Sequence, residues 1–215
     1  MVRLGRQLVK TGAGAGTEAA GGALDIIERA QRLADANEYP AILELFDEAF
    51  GSERPEDDAE QMATYARMLS MRARARHVLG QWHEAEDEAR AVLGLATRIK
   101  ERTTLVRALH TLGELQRDRG EVPEALESHT NAARLAEAIG DSLGSAQANL
   151  ALAALHSKTG DLNEAEARLD AVFGLLESMP NTPQVRRLRA AATVQKGVER
   201  FRKGGLQETV AFCTQ

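Results

Sequence analysis

The chain has 215 residues, is 43% hydrophobic but only 4% aromatic, and carries a net charge of −5 with a pI near 5.6. That length suits one ordinary domain or one repeat array. The acidic balance argues against a dedicated nucleic-acid binder, and no apolar run reaches the ~18 residues of a membrane span. The single cysteine, Cys213, cannot form an internal disulfide, so a reducing, cytoplasmic setting is expected.

Met1–Lys10 is basic, but no long apolar run or cleavage-like site follows it, so no secretory signal is expected. Thr11–Thr17 and Gly21-Gly22 are too rich in glycine to hold a helix, and residues 1–22 read as a flexible leader with at most a frayed helix at Val2–Val9. The first helix is expected over Leu24–Asn37, where Leu24, Ile27, Ala30 and Ala34 recur at helical spacing. Asn37 tolerates a left-handed turn, and a second helix follows with Ile42, Leu45, Phe46 and Ala49 on one face. Gly51–Asp58 is a polar insertion whose acids suit the start of the next helix. Helices are then expected over Ala59–Leu79, Trp82–Ile99, Glu101–Arg119, Val122–Ile139, Leu143–Thr159, Leu162–Met179 and Thr182–Lys203, with a stub at Leu206–Phe212.

One pattern recurs through this series. Gly80, Gly120 and Gly160 follow each other at 40 residues, each with a Glu four residues on and with Ala85, Ala125 or Ala165 five residues on. Ala73, Gly113 and Ala153 stand seven residues before the glycines. The turn glycine supplies a left-handed residue that ends one helix, and the small residues let two antiparallel helices approach closely. Gly113 in a helix interior costs about 1 kcal/mol relative to Ala, so a close contact is expected there. A fixed period of this length is the mark of a repeat architecture, and the class is all-α.

Leu109, Leu112-Gly113, Gly120, Ala125 and Ala132 resemble the motif of the tetratricopeptide repeat, and the likeness runs from about Leu24 to Lys203. It departs in period, 40 here against ~34 in the family. It departs also at the family's Tyr, replaced by Arg76, Gln116 and His156, and at the following aromatic, replaced by Ala89, His129 and Leu169. The long repeat is similar to kinesin-light-chain-like repeats and to sensor arms of bacterial signalling proteins. The resemblance implies a right-handed α-solenoid of antiparallel helix pairs. Residues 23–203 would form about four pairs and a capping helix, and residues 204–215 a short tail or truncated helix.

Chemistry-bearing motifs are absent from the sequence. The five histidines form no His-x-x-x-His pair, no Walker-type loop exists, and no nucleophile motif surrounds any serine or Cys213. No enzyme, metal site or cofactor is expected. In the resembling family the concave groove is lined by the first helix of each pair. Carried over, this implies Arg67, Ser70, Arg74 and His77, then Arg107, His110, Glu114 and Arg117, then Gln147, Leu150, Ala154, Ser157 and Lys158. The stripe is mainly basic, and arginine suits carboxylates, so an acidic protein segment or chain terminus is the expected ligand. The family's Lys/Asn carboxylate clamp is not reproduced. The expected function is an interaction adaptor, with a regulatory sensor arm and a self-assembling repeat as alternatives. The last long helix carries seven bases against one Glu, and self-association through terminal helices is one reading of it. Val185, Leu188, Ala192 and Val198 are its expected inward residues.

Overall fold

The computed structural model describes residues 16–51, 54–55 and 58–203, with side chains from Asp25 onward. Among these residues it consists of α-helices and no strand. They are α1 (Gly16–Asp35), α2 (Tyr39–Phe50), α3 (Ala59–Val78), α4 (Trp82–Ile99), α5 (Arg102–Arg119), α6 (Val122–Ile139), α7 (Ser142–Thr159), α8 (Leu162–Glu177) and α9 (Pro183–Arg202). The helices expected between Leu24 and Lys203 are all present, with ends within a few residues of their expected places apart from the start of the first. One boundary is corrected: α1 begins at Gly16, so residues 16–22 are helical rather than part of a leader. Thr17–Ala20 are tolerable helix residues, and Gly21 and Gly22 cost only about 1 kcal/mol each inside a helix that continues through a packed face. The expected Val2–Val9 helix and the Leu206–Phe212 stub lie outside the described residues.

The helix ends share one chemistry. At Gly120, φ is +82°, its amide donates to the Arg117 carbonyl at 3.0 Å, and the Glu121 amide donates to the Gln116 carbonyl at 2.9 Å. This Schellman pair satisfies two of the carbonyls that a helix end leaves open. The same two bonds close α1 at Asn37, α3 at Gly80, α6 at Gly140 and α7 at Gly160. Asn37 takes φ +60°, as its turn position requires. Lys100 also takes φ +60° and closes α4 in the same way, although nothing in its residue type signals it. Starts are capped where a side chain can reach: Asp58 accepts from the Glu60 and Gln61 amides at 2.8 and 3.1 Å, and Thr182 accepts from Val185 at 3.2 Å. Asp58 thus fulfils the helix-start role expected of the polar insertion.

The chain divides into two compact units, at Thr111 and Leu112. In the first, α1 packs on α2 and α3, α2 on α3, and α3 on α4. Its core gathers Ile26, Ala30, Leu45, Met68, Val92 and Ala108 around Phe46, which lies 5.2 Å from the Phe50 ring centroid and 5.5 Å from that of Tyr65. In the second, α6 packs on α7, α7 on α8, and α9 on both α8 and α7. Ala146, Ala153, Leu169, Val172, Leu176, Val185 and Ala192 form its core. The pattern alanines Ala85, Ala125 and Ala165 are fully buried.

The glycines separate into two kinds. Gly80, Gly120 and Gly160 have open space where a Cβ would stand, so their constraint is the positive φ alone. Gly94 and Gly174 sit inside α4 and α8 with nothing within 4 Å and no positive φ. Thermal or urea denaturation should therefore show Gly120→Ala and Gly160→Ala each losing about 1–2 kcal/mol. Gly94→Ala and Gly174→Ala should each gain about 0.5–1 kcal/mol. Equal signs in the two sets would contradict the assignment.

Candidate functional site

On α3, Arg67, Ser70, Arg74 and His77 share one face, as their helical spacing requires. They differ in availability. Arg67 donates to Glu101 Oε1 at 2.6 Å, Ser70 is buried, His77 is half-buried, and Arg74 is exposed. On α5, Arg107 is exposed and His110 half-buried in the first unit. In the second unit, Arg117 donates to Glu114 and Asp118, both at 2.8 Å. Burial works against the charge of Arg117, but the two carboxylates outweigh it and raise its pKa above the usual arginine value. On α7, Gln147, Leu150 and Ala154 are half-buried, Ser157 is buried, and Lys158 is exposed. The Arg202 guanidinium of α9 reaches the Ser157 carbonyl at 2.6 Å and its hydroxyl at 2.7 Å. The first-helix faces therefore place Arg74, Arg107 and Lys158 at the surface, and Arg67, Glu114 and Arg117 carry ion pairs there.

Two of the polar residues at the family's Tyr position, Arg76 and Gln116, are tied across the hairpin. Arg76 Nε stands 3.3 Å from Glu88 Oε1, and Arg72 reaches the same carboxylate at 2.7 Å while its guanidinium carbon lies 3.6 Å from the centre of the Phe46 ring. Burial of Glu88 outweighs both arginines and holds its pKa above the usual carboxylate value. One repeat later, Ser128 Oγ donates to Gln116 Oε1 at 2.7 Å. In the next, Arg168 from the Ser128 position instead bonds Glu164 at 2.7 Å and Asn149 at 3.2 Å. The lost aromatic is replaced by polar contacts that differ from repeat to repeat.

His129 is the most perturbed titratable group. Its side chain is fully buried, and the ring lies where a Cβ on Gly113 would stand, 2.6 Å from Nε2. The close approach expected at Gly113 is thus an imidazole laid on bare backbone. Burial, and secondarily Arg117, lower the His129 pKa to about 4. Glu114 Oε1 stands 3.6 Å from Nε2 and its other oxygen 2.8 Å from Arg117. A fully buried ring has no path to a substrate, and His129 is read as a packing residue.

Sequence reasoning missed Glu101 as the partner of Arg67 and Arg202 as the cover of Ser157. It also missed six exposed large apolar residues: Val78, Leu79 and Trp82 around the α3–α4 turn, and Val194, Val198 and Phe201 on α9. Val198 was expected to face inward and does not, whereas Val185 and Ala192 are buried and Leu188 packs beside them. Val194 and Phe201 stand four before and three after Val198, a spacing that already placed the three on one face.

Antiparallel helix pairs, closed by left-handed residues and crossing over small ones, define an all-α helical repeat fold. Residues 104–178 match the sequence profile of the tetratricopeptide repeat. Among solved structures the chain is similar to the crystal structure of BtubC (BKLC) from P. vanneervenii, with a TM-score of 0.62 and 13% identity over 93% of this chain and 89% of that one. At that identity the likeness is one of fold. No curated protein sequence matches the chain. No helix among the described residues is long and apolar enough to cross a membrane.

The residues seven before and nine after the turn glycine form a set of matched pairs: Ala73 with Ala89, Gly113 with His129, and Ala153 with Leu169. Gly113→Ala alone should cost about 1–3 kcal/mol by overpacking. The double change Gly113→Ala with His129→Leu copies the third pair and should be at least about 1 kcal/mol better than the sum of the single changes. Additive losses in chemical denaturation would count against the contact. His129 also sets a pH dependence. Its folded pKa is depressed from 6.5 to about 4, so the unfolded chain binds the extra proton. Stability is full above pH 6.5 and falls by about 3 kcal/mol as pH drops toward 4. His129→Leu should flatten that slope in denaturation series run across this range.

Proposed function

We propose that the chain is a non-catalytic interaction scaffold that binds an acidic segment of a partner protein across the first-helix faces of α3 and α5, with Arg74 and Arg107 as the principal contacts. Tetratricopeptide repeats generally mediate protein–protein interaction, and residues 104–178 carry their signature. The observation that favours this face is that Arg74 stands exposed on it while the neighbouring Arg67 is held by Glu101. A guanidinium offers paired donors that match a carboxylate, so an Asp- or Glu-rich segment fits such a face better than a neutral one. His77 and His110, half-buried on the same two faces, add further polar groups. Glu114, Arg117 and Lys158 belong to the second unit. There Glu114 and Arg117 satisfy each other and contribute shape rather than charge, and Lys158 is a peripheral cation.

Arrays of acidic and matched neutral peptides, probed with the full chain, test this reading. Binding should favour the acidic members, weaken with added salt, and fall by roughly tenfold for each of Arg74→Glu and Arg107→Glu. Both positions are exposed, so thermal stability should stay within about 0.5 kcal/mol of the parent. Unchanged peptide binding in the doubly reversed variant would remove this face from consideration.

A further inference from the structure

The turn between α3 and α4 differs from the corresponding turns at Asn37, Gly120 and Gly160. Two residues before the left-handed residue those turns carry Asp35, Asp118 and Lys158, and one residue before it Ala36, Arg119 and Thr159. Here the two residues before Gly80 are Val78 and Leu79, 49% and 39% exposed. One residue after it the other turns carry an acid, Glu38, Glu121 or Asp161, and this one carries Gln81. Two residues after it Tyr39, Val122 and Leu162 are half-buried, and Trp82 is 45% exposed. The helix crossing does not call for these residues, because Ala73, Ala85 and Ala89 are buried at it. A single exposed apolar residue is ordinary on a surface. Three large ones at one hairpin tip form a patch whose covering by a partner is favourable.

The charge beside the patch selects its partner. From Arg72 to His83 the chain holds no acid. Arg72 and Arg76 are held by Glu88. Arg74 is exposed and stands one helical turn before Val78, on the same face of α3. His83 is exposed next to Trp82. Glu84, the next acid, is the helix-start residue that Glu124 and Glu164 repeat. We infer that the α3–α4 tip is the anchor subsite of the α3 face. The acidic segment bound there carries a large apolar residue that packs on Val78, Leu79 and Trp82 while its acid meets Arg74. A helical turn rises about 5.4 Å and an extended chain about 3.3 Å per residue, so the apolar residue stands about two residues from the acid. The subsite presupposes the acidic reading of the α3 face and adds a side-chain preference that charge alone does not give.

Trp82 is the chain's single tryptophan, so its emission reports on this tip alone. Three synthetic peptides titrated into the full chain test the subsite. One is rich in Asp and Glu with a single Leu, the second has Ser for that Leu, and the third keeps the Leu but has Asn and Gln for the acids. The acidic Leu peptide should bind about tenfold more tightly than the acidic Ser peptide and move the Trp82 emission to shorter wavelength. The Ser peptide should leave the emission in place. Val78→Ser with Leu79→Ser should erase the gain from Leu. Binding of the Ser peptide and the helical circular dichroism should stay as in the parent, because both residues are exposed. Equal binding of the two acidic peptides overturns the subsite while the acidic preference of the face stands. So does a gain that survives the Val78/Leu79 change, or a Trp82 emission that the acidic Leu peptide does not move. A neutral Leu peptide that binds as tightly as the acidic one overturns the acidic reading itself, and the subsite with it.

Discussion

Two helices can lie backbone against backbone only where one of them lacks a side chain or carries a single methyl. That requirement governs the repeat. Ala85, Ala125 and Ala165 are fully buried near the start of each second helix, and on the first helices Ala73 and Ala153 are buried while Gly113 takes the His129 ring against its backbone. The helix ends are placed so that these positions meet: a left-handed residue closes the first helix, donates two amides back to its open carbonyls, and reverses the chain within a few residues. Everything longer in the core, from Phe46 to Leu176, is arranged around distances that the small residues set.

Within that frame the repeats are not copies. At Gly113 the crossing is tight enough to take the edge of an imidazole, and the consequence is a buried neutral histidine. At the corresponding place in the repeat before it, Ala89 fills little space, and the neighbouring interhelix layer is built from Arg72, Arg76 and Glu88 instead. Desolvation of Glu88 exceeds what its two arginines return, which keeps its pKa above the usual carboxylate value. Polar pairs take over the space of the family's tyrosine, each solved with different residues. The faces left to solvent differ accordingly: arginines on α3 and the first half of α5, a self-satisfied Glu114–Arg117 pair in the second half of α5, and an apolar stripe with basic flanks on α9.

The places where sequence reasoning and structure part have identifiable causes. Asn37 was legible as a left-handed residue because its side chain tolerates that conformation, while Lys100 in the same conformation has no such signal. The start of α1 was hidden because glycine weakens a helix only modestly once the rest of it is packed. Val198 looked like a core residue because it is apolar and lies on a helix with a buried side, yet Val185 and Ala192 take that side and Val198 falls on the other. Arg67 and Arg117 looked available because charge on a helix face is visible in sequence, whereas the carboxylates that hold them are found only in space or by an unremarkable local spacing.

The sequence by itself determined the class of fold, the helix order, the turn positions and the crossing residues. All of these depend on intrinsic properties of single residues, such as a glycine's freedom at positive φ or an alanine's size, repeated at a fixed interval. Tertiary structure alone decided which of the expected surface residues are exposed, that His129 is held neutral, and that α9 covers α7 while showing an apolar face of its own. Those outcomes depend on what lies opposite a side chain, on a helix tens of residues away, and a linear pattern of residue types does not contain that partner.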